Sequence, residues 1–345
     1  MLFFWLQVTL LGQDIHFSQT TRTAFQINPA FVGAFSGNVR AAVNWKDQWQ
    51  AISKTFRTYA ASGEFSFGKG KEKHPTFFAL GIHATKDVAG DAEIGNTNIG
   101  ATFNTLLKTG NNGRLNLGVQ ASYGFTGLNT SAMQWGSQYN GLNYDPTLNN
   151  GEGIEFSPYD YFDVSAGIGY WFRKNDPKVN AASTQDARMG LAIYHINRPQ
   201  YAFAVNGQSR LPMKVVGHIS TVLSTKWPNI YWYPNFTGIL QGKQHEVLMG
   251  SLWKYRLRAP SKNTGYISEV AVAFGADVRI TNVFDAIVPQ LYLEMFNMAF
   301  GISYDINVSP LWRGSNFRGG VEMSIRFTNP DFYIHRNPFR YVPSI

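Results

Sequence analysis

LNLGVQASYGF, residues 115–125, alternates without a break: Leu115, Leu117, Val119, Ala121, Tyr123 and Phe125 are apolar, and Asn116, Gly118, Gln120, Ser122 and Gly124 stand between them. A period of two is that of a pleated strand with one apolar and one polar face. The polar face is small and hydrophilic, whereas the apolar face is broad and aromatic. A soluble sandwich would bury that apolar face against a second sheet. A membrane barrel instead turns it to lipid and keeps small polar groups in the lumen.

The same alternation recurs in Phe162, Val164, Ala166, Ile168, Tyr170 and Phe172, in Val270, Val272, Phe274, Ala276 and Val278, and in Val321, Met323, Ile325 and Phe327. Strands are expected near 38–46, 56–67, 76–85, 98–108, 114–126, 161–172, 188–196, 212–223, 230–240, 246–256, 267–278, 286–295, 298–307 and 317–328. That set is about fourteen, an even number as single-chain bacterial barrels have. Pro234 and Pro289 weaken two of them, because each removes a ladder donor. Twelve or sixteen strands therefore stay open at this point. The fold class is all-β, a transmembrane antiparallel β-barrel.

Composition agrees. Aromatic and charged residues are each 15% of the 345, against about a quarter charged in ordinary soluble domains. Mean hydropathy is −0.20, as expected when lipid-facing residues alternate with polar ones. There is no cysteine, which excludes disulfides, thiolate metal sites and cysteine nucleophiles. The net charge of +8 is scattered through turns rather than gathered in a stripe with interleaved aromatics, so nucleic acid is not an expected partner. Anionic outer-membrane lipid or an acidic envelope partner fits the charge as well.

MLFFWLQVTLL, residues 1–11, is too short to span a membrane as a helix and reads as a signal-peptide core, with residues 1–12 removed and Gln13 leading the mature chain. A buried first strand is the competing reading. Residues 13–37 are too polar for a lipid-facing strand and carry Pro29, so they are expected as a plug in the lumen, the alternative being a periplasmic tail. The barrel then occupies 38–328, and 329–345 form a periplasmic tail that either docks a partner or folds under the barrel mouth. With both termini periplasmic, the longest connection, 127–160, falls outside the cell.

QDIHFSQ (13–19) followed by NPAFVG (28–33) resembles the opening of the PorP/SprF family, outer-membrane proteins of the Bacteroidetes type IX secretion and gliding machinery. RAAVNWKDQW (40–49), FRTYAASGE (56–64), KDVAGD (86–91), FDVSAGIGYW (162–171) and GLAIYHINRP (190–199) continue the resemblance, as do FDAIVP (284–289), GISYDINVSPL (301–311) and FRGGVEMSIRF (317–327). The leader without a basic start and the tail after Phe327 depart from it. The resemblance implies a barrel similar to the fatty-acid-channel (FadL-like) architecture and a plug motif at Asn28, Pro29 and Gly33. It also implies export, or retention at the cell surface, of an adhesin-like partner with a type IX C-terminal sorting domain. Contact with the periplasmic ring or peptidoglycan-associated components is implied for some members.

Signals for catalysis are poor: there is no G-x-S-x-G elbow, Walker loop, H-E-x-x-H or EF-hand pattern, and the seven histidines show no metal-ligand spacing on one strand face. No enzyme, cofactor or metal is expected. If the apolar sets face lipid, Arg40, Glu64, Asp163, Asp277, Asp305, Glu322 and Arg326 point inward, with His218 and Lys214 beside them. They read either as an ion-paired filling or as a polar solute track. Trp135, Tyr139, Tyr144 and Tyr159 in the long loop are the expected client-binding residues, since aromatics on loops are what binding surfaces use. A channel for a hydrophobic or small polar solute and a structural link to a periplasmic scaffold are the alternatives.

Overall fold

The computed structural model describes residues 14–48, 56–68, 76–90, 93–128, 133–149, 151, 158–174, 185–201, 209–258, 270–310 and 316–329. The expected leader and nearly all of the expected tail lie outside these residues. Fourteen strands run in chain order: β1 Val39–Gln48, β2 Phe56–Phe67, β3 Thr76–Ala89, β4 Ile94–Thr109, β5 Gly113–Gly127, β6 Tyr159–Lys174, β7 Gln185–Tyr194, β8 Lys214–Ser224, β9 Ile230–Gln241, β10 Gln244–Arg258, β11 Val270–Ile280, β12 Phe284–Met295, β13 Met298–Asn307 and β14 Arg318–Asn329. Each pairs antiparallel with its sequence neighbours, and β1 closes the barrel on β14 over ten residue pairs, from Val39↔Asn329 to Gln48↔Gly320. No edge strand is left to be covered.

The alternation dictates which way each side chain points. In β5, Asn116, Gln120 and Ser122 are buried, while Leu117, Val119, Tyr123 and Phe125 are 44–55% exposed on the outside. That inversion, polar in and greasy out, needs hydrocarbon around the wall. Trp232 and Trp253 face each other across β9 and β10 with ring centroids 5.9 Å apart, and with Tyr255 they stand near the strand ends where an aromatic girdle is expected.

Both prolines sit inside strands. Pro234 pairs with Ser251 of β10, but toward β8 the pairing stops at Ser220↔Asn235 and resumes at Leu223↔Trp232. Pro289 likewise pairs with Ala276 of β11 while the β12–β13 ladder skips from Ile287↔Ile306 to Gln290↔Ser303. A missing donor interrupts one ladder of a strand and leaves the other intact, so fourteen strands survive two prolines.

The chain termini mark one end of the barrel, the terminal end, where β1 begins and β14 finishes. The opposite loop end carries the two longest connections at that end, 128–158 and 195–213. Residues 14–37 form a 3-10 turn at Thr20–Arg22, a short helix α1 at Ala24–Ile27 and a second 3-10 turn at Pro29–Phe31. This one segment touches β1, β2, β4, β6, β9, β13 and β14. Only a chain inside a closed barrel can reach walls on all sides.

Candidate functional site

The site is the lumen, and its geometry follows the inner segment from top to bottom. At the loop end Asp14 meets His195, the residue just past β7, with Nε2 to Oδ2 at 2.8 Å, and Lys214 Nζ at 3.3 Å. His195 Nδ1 lies 3.0 Å from Asp163, so two carboxylates flank one imidazole. Burial works against charge on His195, but Asp14 and Asp163 beside it outweigh that and hold its pKa up at about 9. Burial would raise the Asp14 carboxyl too, yet Lys214 and His195 pull it below the usual carboxylate range.

One step down, Glu322 accepts the backbone N–H groups of Ser18 (2.7 Å) and Gln19 (3.1 Å). Ser18 Oγ donates to Asp305 at 2.8 Å, and Ser324 Oγ donates to the Gln19 side chain at 2.6 Å. Asp305 is also the counter-ion of Arg279 (2.7 Å) and Lys46 (3.6 Å). At mid-height Asn28 caps the second 3-10 turn by accepting from Ala30 N–H at 2.8 Å. Its amide donates to the Ile168 and Leu191 carbonyls of β6 and β7. Pro29 opens that turn, where its missing N–H costs nothing. From the wall, Asn104 of β4 donates to the Ala30 and Val32 carbonyls at 2.7 Å each.

The wall makes room with glycines. A Cβ on Gly118 would stand 2.4 Å from the backbone of Pro29 and Ala30, and one on Gly167 would stand 2.0 Å from Asn28 Oδ1. Toward the terminal end Gly33, at φ +79°, donates its N–H to Glu64 at 2.8 Å. Glu64 is in turn gripped by Arg40 through contacts of 2.7–2.9 Å. Phe31 and Ala34 pack with Phe77, Leu106 and Trp171, which makes Trp171 an inward tryptophan. Gly37 leaves the lumen against the Asn329 carbonyl.

The seven inward charges expected from the sequence are all buried, but they fall into separate groups. Arg40 and Glu64 pair; Asp305 and Glu322 share the Ser18–Gln19 backbone; Asp163 joins His195. Asp277 accepts from Asn235 and Gln290 and meets no cation among the described residues, while Arg326 lies 4.0 Å from Glu294, which Lys254 also binds. Of the two neighbours named beside them, Lys214 reaches Asp14, and His218 meets Phe31 edge-on with ring centroids 4.8 Å apart. Sequence reasoning missed Lys46, Arg279, Asp186, Lys254 and Glu294. Lys46 shares strand parity with Arg40 and Arg279 with Asp277, while Asp186, Lys254 and Glu294 alternate with the outward apolar residues of their own strands, such as Leu191, Trp253 and Leu293, and those signals could have found them.

In the long loop Tyr139 and Tyr144 form an isolated bridge, and Tyr144 Oη donates to Gln138 at 2.9 Å. Tyr139 and Leu142 are 58% and 84% exposed, and Trp135 is half-buried. Tyr159 is corrected: it opens β6, paired with Thr126, because the β5–β6 ladder continues past the expected strand start. It lines, with Tyr161, Tyr194, Tyr201, Asn96 and Lys214, a cavity of about 300 Å³ above the segment tip. A second space of about 90 Å³ lies beside the segment near Asn28, Phe31 and His218. His83 and Ser122 converge over Gly100 of β4, whose Cβ would clash with both. Among the described residues no group of three or more metal-ligating side chains is gathered.

Among solved structures the chain is similar to the CymD monoaromatic hydrocarbon channel, at 10% identity and TM-score 0.47 over 90% of this chain and 93% of that one. It is similar to a TodX monoaromatic hydrocarbon channel mutant lacking S2 and S3, at 8% identity and TM-score 0.46 over 89% and 94%. It is also similar to the β domain of the Bordetella autotransporter BrkA, at 11% identity and TM-score 0.42 over 85% and 100%. No curated protein matches. A family described as type IX secretion system membrane protein PorP/SprF matches residues 10–327, so the chain belongs to the PorP/SprF family and is a β-barrel outer-membrane protein of the type IX secretion system.

Proposed function

We propose that this barrel is a plugged surface platform: it helps export, or anchors at the cell surface, one partner protein carrying a type IX C-terminal sorting domain. The observation that carries this reading is the division of labour along the barrel axis. The lumen holds residues 14–37, hydrogen-bonded to the wall from Asp14 down to Gly33, so the interior is committed to its own chain. The loop end, facing outward in this reading, offers a braced hairpin with Tyr139 and Leu142 exposed at its tip. Large side chains on a loop held by Gln138 contacts to Tyr144 and Leu148 lose little freedom on binding.

Replacing residues 133–149 by a short Gly-Ser turn tests it. The client is expected in the growth medium while the barrel still shows heat-modifiable migration on gels. A client that stays cell-attached contradicts the assignment.

A further inference from the structure

Among the described residues the terminal mouth carries a row in which cations outnumber acids: Lys108 and Arg114 without an ion pair, and Arg173 and Arg188 sharing the single carboxylate of Asp186. Register places Lys108 of β4 directly opposite Arg114 of β5, Arg114 opposite Trp171 of β6, and Trp171 opposite Arg188 of β7. All four share strand parity with inward residues: Leu106 and Asn104 for Lys108, and Asn116 for Arg114. Like charges directly opposite in an antiparallel pair destabilise it. Neither Lys108 nor Arg114 has an ion pair among the described residues.

The described inward acids at this end are already engaged. Glu64 belongs to Arg40, Asp186 is shared by Arg173 (3.1 Å) and Arg188 (3.3 Å), and Glu294 faces Lys254 and Arg326. Arg114 instead lies over the Phe77 ring at 4.7 Å, and Arg173 and Arg188 lie over the Trp171 ring at 4.8 and 5.6 Å. Aromatic faces orient a guanidinium without cancelling its charge.

We propose that this row binds an acidic peptide segment entering the terminal mouth. Four adjacent strands span about 14 Å at roughly 4.8 Å per strand. That is the reach of about four extended residues, so one acidic stretch can meet several cations together. A single phosphate or carboxylate would engage only one. Inward parity also separates the row from lipid headgroups, which meet outward side chains. The proposal does not depend on which protein the loop end holds.

The test uses the full chain in neutral detergent and fluorescence anisotropy of labelled hexaglutamate, with hexaserine and hexalysine as controls. Hexaglutamate should bind more tightly than hexaserine by about tenfold or more, weakening as salt rises. The combined variant Lys108→Glu, Arg114→Gln should lose that preference while keeping heat-modifiable migration. If this variant fails to fold, Lys108→Glu alone, at an exposed rim position, should still weaken binding severalfold. Equal binding of hexaglutamate and hexaserine, or unchanged affinity in the variants, overturns the proposal. So does displacement of the peptide by equimolar inorganic phosphate, or by phosphatidylglycerol at equal charge.

Discussion

Asp14 and His195, 181 residues apart, form the topmost lock of the lumen, Oδ2 to Nε2 at 2.8 Å. Because one partner belongs to the inner segment and the other to the loop end of β7, the pair ties the tip of that segment to the wall. The sign of its pH dependence follows from the two shifts. His195 is raised from 6.5 to about 9, so its contribution is complete below pH 6.5 and is lost as pH rises through 9. Asp14 is lowered from 3.8, so its contribution is present above that value and is lost in stronger acid. Amide protection at Ile15–Phe17 should therefore be greatest between about pH 4 and 6.5 and decline toward pH 9, measured by hydrogen exchange. His195→Gln should flatten the alkaline decline; an unchanged profile would remove His195 from the lock.

At Gly118 the wall lies directly against the backbone of the segment. Gly118→Ala should push the Pro29–Phe31 turn out of place, since the new Cβ meets backbone that has no rotamer to change. The outer face of β5 stays as it is. Planar-bilayer recordings should show single-channel conductance that the parent lacks, and deletion of residues 14–36 should show a larger one. A closed baseline in the deletion would end the plug reading.

Asp305 sits between Lys46, Arg279 and Ser18 with almost no exposure. Asp305→Asn leaves two cations in the lumen with one shared acid fewer, and breaking a buried pair this way costs about 3 kcal/mol or more. Urea unfolding from lipid vesicles reads that loss. A change under about 1 kcal/mol would mean that water, not Asp305, solvates the pair.

On the outside, Val119 lies near the middle of β5 and is 55% exposed. Val119→Arg should cost about 2–4 kcal/mol in a bilayer-folding assay, as a charge at mid-membrane does. The same change in a position facing water would cost almost nothing, so the assay measures what surrounds the wall.

The wall was readable because hydrocarbon imposes a strict period of two on one face, as Leu117–Phe125 and Phe162–Phe172 show. Inward charges were readable by the same parity. Their partners were not, since pairing across strands depends on register and on a segment with no periodicity of its own. Arg40 announces itself as inward, but nothing near it in sequence indicates Glu64 and Gly33 as its company. The Asp14–His195–Asp163 cluster joins three distant stretches and leaves no local trace. The prolines misled about strand strength because a linear reading counts lost donors and cannot tell which of two ladders loses them.

The β1–β14 seam has a consequence for assembly. Ser18 and Gln19 take their acceptors from Glu322 of β14, the strand synthesised last, and Gly37 leaves the interior beside its final residue. Threading the cylinder after the seam has zipped would mean drawing a folded peptide past a narrow rim. The inner strand of chain and the closing staves are therefore partners in one step: the vessel is sealed around its own contents.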